Sequence, residues 1–399
     1  MIPEGWKLRR LGEIATVTTG GTPSRKRPEY WDGSIPWIKT SSIDFCVIQQ
    51  GDEFITEEGL HDSAAKLFPK NTILMAMYGQ GMTRGRVAIL GIDSTTNQAC
   101  AAIQVKADVD HKYVYYYLAS RYREIRELGH GGNQKNLNAV LIKDIRVAFP
   151  PLPEQRKITE ILGTWDQAIA LTEQRIEAAR QRKKGLMQRL LTGRVRFPEF
   201  AGGKWQEVQL GNLAEVKRGA SPRPIRDPKW FAESGRGWIR IADVTDSPTR
   251  FLNQTSQYLS PLGETKSVKV EIGELIMSIC ATIGVPKIVN IPACIHDGFV
   301  VFRGYEKHLS REFLYHYLNF ITERLANRGQ PGTQKNLNSS LVRKIRVPKP
   351  PLAEQEKIAA VLQSCDREIE LLTQKRDALQ RQKKGLMQWL LTGRVRVKV

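Results

Sequence analysis

What the chain lacks limits its chemistry before any pattern is read. No apolar run approaches the roughly 18 residues that a membrane-crossing helix needs. The first residues, Met1-Ile2-Pro3-Glu4-Gly5-Trp6, do not have the basic-then-apolar order of a secretion leader. Cysteine is scarce: five, at positions 46, 100, 280, 294 and 365, an odd number without C-x-x-C spacing. That argues against a disulfide framework or a zinc site and for reduced thiols in a cytoplasmic protein. Cys294 and His296 lie close together but have no further ligands near them, so no metal is predicted. GxxxxGK[ST] is missing, hence no phosphate cradle for ATP, and so is GxGxxG. The Asn/Asp-Pro-Pro-aromatic motif of amino-methyltransferases is also missing, since Phe149 and Lys349 precede the proline pairs. Glu264-Thr265-Lys266 has the E-x-K spacing of some nucleases, but such spacing is common by chance and the first half has no counterpart. The sequence therefore predicts no catalytic residue and no cofactor.

Negative charge is also short. Against 61 Lys and Arg stand 41 Asp and Glu, a net charge of +20. Such a surplus favours a polyanionic partner, chiefly nucleic acid.

What is present comes twice. Residues 183–196 read KKGLMQRLLTGRVR and residues 383–396 read KKGLMQWLLTGRVR; thirteen of the fourteen positions match, and only Arg189 and Trp389 differ. Proline-rich lead-ins recur at the same spacing, FPPLPEQRKI at 149–158 and KPPLAEQEKI at 349–358. A period of 200 residues in a 399-residue chain means two domain-sized halves rather than a solenoid.

Each half opens with a matching segment. Trp6 aligns with Trp205, Gly12 with Gly211, Gly20 with Gly219 and Pro23 with Pro222. Trp37-Ile38-Lys39 and Trp238-Ile239-Arg240 read as strands. Residues 71–90 and 273–289 each read as a strand, a glycine-bearing turn and a second strand. Residues 113–128 and 313–328 have helical spacing, and a last strand is expected at 145–149 and 345–348. Each unit is thus a mixed α+β domain.

Beyond the prolines, apolar positions alternate by four and three. The first series is Ile158, Leu162, Trp165, Ile169, Thr172, Ile176, Ala179, Lys183, Leu186, Leu190, and the second runs from Ile358 to Leu390. These are heptad seams with polar interruptions, and two seams in one chain should pair. Gly193 and Gly393 follow as helix-ending glycines. A helix of about 38 residues would be about 57 Å long. The last turns are densely basic, more than a helix dipole accounts for. DNA backbone or an acidic protein surface is the better account.

The helix ends are nearly identical in the two halves, whereas the α+β units differ between their landmarks. A surface that meets the same partner twice stays the same, and one that meets two targets differs. The helix ends and lead-ins should therefore contact a repeated partner or each other, and the α+β units two different targets of one kind.

On these motifs the chain resembles the specificity subunits of type I restriction–modification systems. The residues that carry the resemblance are Gly20-Gly21-Thr22-Pro23-Ser24-Arg25 with Trp37-Ile38-Lys39, the lead-ins at 150–158 and 350–358, and Leu190-Leu191-Thr192-Gly193 with its copy at 390–393. The resemblance implies an α+β fold with an internal pseudo-two-fold repeat. Two target-recognition domains, 1–151 and 197–351, would be separated by an antiparallel coiled coil of helices within 152–196 and 352–399. Each domain would read one half of a split DNA target. Two methyltransferase subunits would dock on the helix region and motor-nuclease subunits would join them. S-adenosylmethionine, ATP and Mg would then belong to those partners. An alternative is a coiled-coil scaffold with non-specific nucleic-acid-binding domains, which the divergence of the two α+β units argues against.

Candidate DNA-binding residues are cations and amides on loops. In the first domain these are Arg25, Lys26 and Arg27 after the glycine turn, and Tyr78, Gln80, Thr83, Arg84 and Arg86 in the hairpin turn. In the second they are Arg223, Arg226, Lys229, Arg236 and Arg240. Lys135 and Lys335 sit in a Gln-Lys-Asn-Leu-Asn motif common to both halves and suit backbone contact or domain–helix docking. The alternative for that motif is that Asn136 or Asn138 caps a short helix. Candidate partner-binding residues are Lys183, Lys184 and Arg194, with Lys383, Lys384 and Arg394.

Overall fold

The computed structural model describes residues 3–79, 82–128, 136–327 and 337–398. The chain forms two compact units, residues 1–173 with 374–399, and residues 174–373.

In the first unit, a five-stranded sheet has the order Ala15–Thr19, Cys100–Val105, Ile73–Ala76, Val87–Leu90, Val47–Ile48. The central strands ILMA and VAIL are buried on both faces, and such apolar strands need cover on both sides. Strand alternation divides them between two cores. Ile73, Met75, Val87 and Ile89 pack with the tyrosines of helix His111–Ser120, while Leu74, Ala76, Ala88 and Leu90 pack with Ile38, Ile43 and Phe68. Ile73–Ala76 and Val87–Leu90 are antiparallel neighbours, the hairpin expected from sequence. A second sheet joins Glu53–Ile55, Trp31–Ile38 and Thr95–Thr96. Strand Lys7–Arg10 pairs with Arg146–Phe149, bringing the lead-in beside the start of the chain.

The second unit repeats this plan. Its main sheet has the order Glu215–Arg218, Phe299–Arg303, Leu275–Ser278, Pro286–Val289, Phe251–Leu252. Its second sheet is larger, five strands with Arg236–Ile239 at the centre. Gln206–Gln209 pairs with Arg346–Lys349.

One helix departs from expectation. The segment expected to be one helix over 113–128 is two, His111–Ser120 and Tyr122–Glu127. The Ser120 hydroxyl bonds back to the Tyr117 carbonyl (2.7 Å) and Arg121 leaves helical geometry, whereas the counterpart helix Arg311–Asn327 runs unbroken.

The long helices run Leu152–Leu190 and Leu352–Leu390. Pro153 sits in the first turn of the first helix, where its missing N–H costs nothing. The seams are buried at Ile158, Leu162, Thr172, Ile176, Ala179 and Leu190, and at Ile358, Leu362, Cys365 and Leu390. Gly193 and Gly393 have φ of 67° and 68°, the left-handed conformation that closes a helix. Among the described residues, no helix is long and apolar enough to cross a membrane.

Within the first unit the start of the first long helix lies antiparallel to the end of the second. Ile158 and Leu162 share a core with Leu390 and Leu391, and Lys383 pairs with Asp166. The second unit does the same, with Ile358 and Leu362 against Leu190 and Leu191, and Lys183 pairing with Asp366 at 2.5 Å. Each such buried leucine contributes about 1.5–3 kcal/mol.

Candidate nucleic-acid interface

In the first unit the glycine turn is pressed against the end of a strand. A Cβ on Gly20 would lie 2.1 Å from the Thr96 carbonyl oxygen, so only glycine fits. The Gly21 N–H donates to that same oxygen (2.8 Å), and the Trp37 indole donates to the Gly21 carbonyl (3.0 Å). The turn is thus a rigid support. From it Arg25 lies over the Trp31 ring, 3.5 Å from its centroid, and pairs with Glu53 at 2.5 Å. Lys39 joins the same carboxylate. Arg25 and then Lys39 hold the Glu53 carboxyl below the usual carboxylate range. Thr22 donates its hydroxyl to the side-chain oxygen of Gln98.

The other candidates of this unit divide into two groups. Lys26 and Tyr78 are exposed. Arg27 donates to the Tyr30 hydroxyl (2.6 Å), and Thr83 is half-buried. Arg84 donates to the Arg126 carbonyl (3.1 Å), and Arg86 pairs with Asp44 at 2.8 Å while donating to the Met82 carbonyl. These last two arginines hold the domain together and are less available than their loop position suggests. Gln80, Lys135 and Lys335 lie outside the described residues. Asn138 and Asn338 cap short helices, accepting from the N–H groups of Leu141 (2.9 Å) and Leu341 (2.8 Å).

In the second unit a Cβ on Gly219 would lie 2.2 Å from the His296 carbonyl oxygen, the same close approach. Ser221 donates to one oxygen of Asp297 (2.7 Å) and Arg223 to the other (3.0 Å), while Arg218 donates to its carbonyl (2.8 Å). Burial alone would raise the Asp297 carboxyl. The Ser221 hydroxyl and the charges of His296, Arg223 and Arg218 outweigh it, and the carboxyl titrates below its ordinary range. Burial, aided by Arg240, Arg223 and Arg218, likewise depresses His296. Arg226 and Arg240 are exposed, Arg240 donating to Gln257 at 3.2 Å. Lys229 pairs with Asp227 at 2.8 Å beside the Trp230 ring. Arg236 differs: it bonds Glu271 (2.9 Å) and the Val270 carbonyl (3.1 Å), with Glu264 at 3.8 Å, and so ties strands together.

The helix ends show what the repeated lead-ins do. In the first unit the buried Glu154 receives the Arg396 guanidinium on both oxygens (2.7 and 2.8 Å) and the Trp6 indole (3.2 Å). In the second, Glu354 receives Arg196 (2.8 and 2.7 Å) and Trp205 (2.9 Å). Paired N–H donors match the two carboxylate oxygens, which is how a buried carboxylate is tolerated. Gln155 and Gln355 accept from the N–H groups of Asp110 and Ser310 and donate to the carbonyls of Pro150 and Pro350. Of the two expectations for the helix ends and lead-ins, a repeated partner or each other, the structure shows contact with each other; the individual side chains that meet were not named from the sequence. The repeat shows that they matter twice, not what they touch.

Two of the partner-binding candidates are engaged within the chain. Lys183 and Lys383 are largely buried, spent on Asp366 and Asp166 within the helix pair. Part of the basic cluster at the helix ends is thus paired with acids of the chain itself. Lys184, Arg194, Lys384 and Arg394 are exposed.

Comparison with known proteins follows this repeat. A family model described as the type I restriction modification DNA specificity domain matches residues 3–181 and again 202–381. A protein of Methanocaldococcus jannaschii, provisionally named the type I restriction enzyme MjaX specificity subunit, is 26% identical over the whole of this chain and 95% of its own length. The crystal structure of a type I restriction–modification system S subunit from M. genitalium is similar with a TM-score of 0.60 at 16% identity, over 98% of this chain and 96% of that one. A chain from a structural study of complex assembly and conformational transition in the type I R-M system is similar with a TM-score of 0.64 at 18% identity, over 99% of this chain and all of that one.

Proposed function

Because the chain belongs to the type I restriction–modification DNA specificity family, we propose that it is the DNA-recognition subunit of such a complex and catalyses nothing itself. Each α+β domain reads one half of a split target. The helices set the spacing between the halves and dock two methyltransferase subunits, and motor-nuclease subunits join the assembly. S-adenosylmethionine, ATP and Mg serve those partners. The observation that carries the reading is a contrast. The Glu–Arg–Trp contacts of the helix ends recur residue for residue, whereas Thr22 and Gln98 in one unit are replaced by Ser221 and Asp297 in the other. Lys26, Arg226 and Arg240, exposed and basic, suit phosphates beside the bases being read. Lys184, Lys384, Arg194 and Arg394 suit the acidic face of a partner.

The test is a map of modified bases. The chain is expressed with its methyltransferase partner in a host lacking modification, and modified positions are found by single-molecule sequencing. Residues 1–150 are then exchanged for another domain of this kind. A split motif of which only one half changes is the expected result. The absence of a split motif, or indifference to the exchange, removes the reading.

A further inference from the structure

One loop pair has the same geometry in both units and different chemistry. Strand register fixes the equivalence, because Ile38 pairs with Thr96 and Ile239 with Ile295. Gln98 and Asp297 each lie two residues beyond that pairing. Thr22 and Ser221 each lie two residues beyond the close-packed glycine, and each gives its hydroxyl to residue 98 or 297. The support is common and the group it presents is not.

In the first unit that group is a neutral amide. Thr22 fixes the plane of the exposed Gln98 amide, leaving an oxygen lone pair and the amino group. An amide can donate to a phosphate as a cation does, but only an acceptor beside a donor matches N6 and N7 of adenine. In the second unit the group is an arginine. Asp297, held by Ser221, takes one edge of Arg223, whose side chain is 71% exposed and retains further N–H donors. Asp297 occupies one N–H of that guanidinium and leaves the others as the donors that fit O6 and N7 of guanine.

We infer that this loop pair is the base-reading element of each domain: Gln98 reads an adenine in one half-site, and Arg223, positioned by Asp297, reads a guanine in the other. The inference rests on the DNA-recognition reading above.

The test uses the full chain with its methyltransferase partner and the same modification map. Gln98→Ala is expected to relax one A·T position in one half-site and leave the other half unchanged. Arg223→Ala should relax one G·C position in the opposite half. Preference for the native base at each position should fall roughly tenfold to a hundredfold. Asp297→Asn, with Arg223 intact, should relax the same G·C position, which a merely structural role would not do. Gln98→Glu keeps the oxygen that Thr22 bonds and removes the amide donors, so it tests the reader without opening the loop; melting temperatures show that each variant folds. A split motif unchanged in every folded variant, or both halves relaxed together, overturns the inference and leaves the recognition reading standing. No split motif from the unaltered chain removes that reading, and this inference with it.

Discussion

His316 should make the second unit acid-sensitive, and replacing it with tyrosine should remove its share of that sensitivity. Its first-unit counterpart, Tyr116, donates to Asp166 at 2.5 Å, beside Lys383. His316 is fully buried, neither ring nitrogen has a hydrogen-bond partner in the structure, and one oxygen of Asp366 is buried without one too. Lys183 and Arg250 face the ring with positive charge, and Tyr315 adjoins it. Burial first, then those cations, push the imidazole down to about 3. An unfolded histidine titrates near 6.5. The folded chain therefore binds its proton less readily than the unfolded chain. Stability is fully present above about pH 6.5 and is lost progressively as pH falls from there toward 3. Between pH 7.5 and 5.0 the loss from this group is about 2 kcal/mol. Urea unfolding followed at both pH values measures it. His316→Tyr carries no charge change in this range and can place a hydroxyl toward Asp366. It should flatten the second unit's profile by that amount, and Tyr116→His should import the sensitivity into the first unit. If His316→Tyr loses as much stability as the unaltered chain between the two pH values, the burial argument is wrong.

Other expectations follow from the same geometry. Arg25→Ala should weaken DNA binding on all sequences about tenfold and reduce the salt slope by about one, measured by titration at several salt concentrations; an unchanged affinity and slope would exclude the loop from the DNA surface. Glu154→Gln should lower the melting temperature of the first unit and leave the second unaffected, with Glu354→Gln doing the reverse; equal effects on both units would contradict the division into separate contact sets. Tyr116→Phe should cost about 1.5–3 kcal/mol, the worth of a hydrogen bond to a charged acceptor, in chemical denaturation. Lys184→Glu with Lys384→Glu should weaken capture of the methyltransferase subunit in a pull-down while leaving unfolding unchanged, and retained capture would place docking elsewhere.

The features legible in the sequence were local and periodic. Heptad spacing marked the buried seam from Ile158 to Leu190, and Gly193 and Gly393 marked where the helices stop. Strand–turn–strand patterns gave the hairpins because alternation and a glycine turn lie within twenty residues. That the two seams pair was legible from their repetition, but which side chains meet across the chain was not. Arg396 meets a glutamate 242 positions away, and a basic residue near a helix end looks the same whether its partner is DNA, another protein or its own chain. Arg84, Arg86 and Arg236 show the same ambiguity: charge and loop position are visible in sequence, but an internal carbonyl or carboxylate that absorbs the charge is not. The break at Arg121 separates two helices that share one apolar spacing, so the helical period alone does not reveal it.

The first compact unit is not contiguous in the chain: it is completed by residues 374–399, whereas the second is the unbroken stretch 174–373. Synthesis on a ribosome therefore reverses the expected order of maturation. The second unit has all of its residues once Thr373 is made, but the first must wait for Leu390, Leu391 and Arg396. At about 5–20 residues per second that wait is roughly ten to forty-five seconds after Glu173 is made. A chain cut between Thr373 and Leu390 would consequently spare the second unit and unfasten the first.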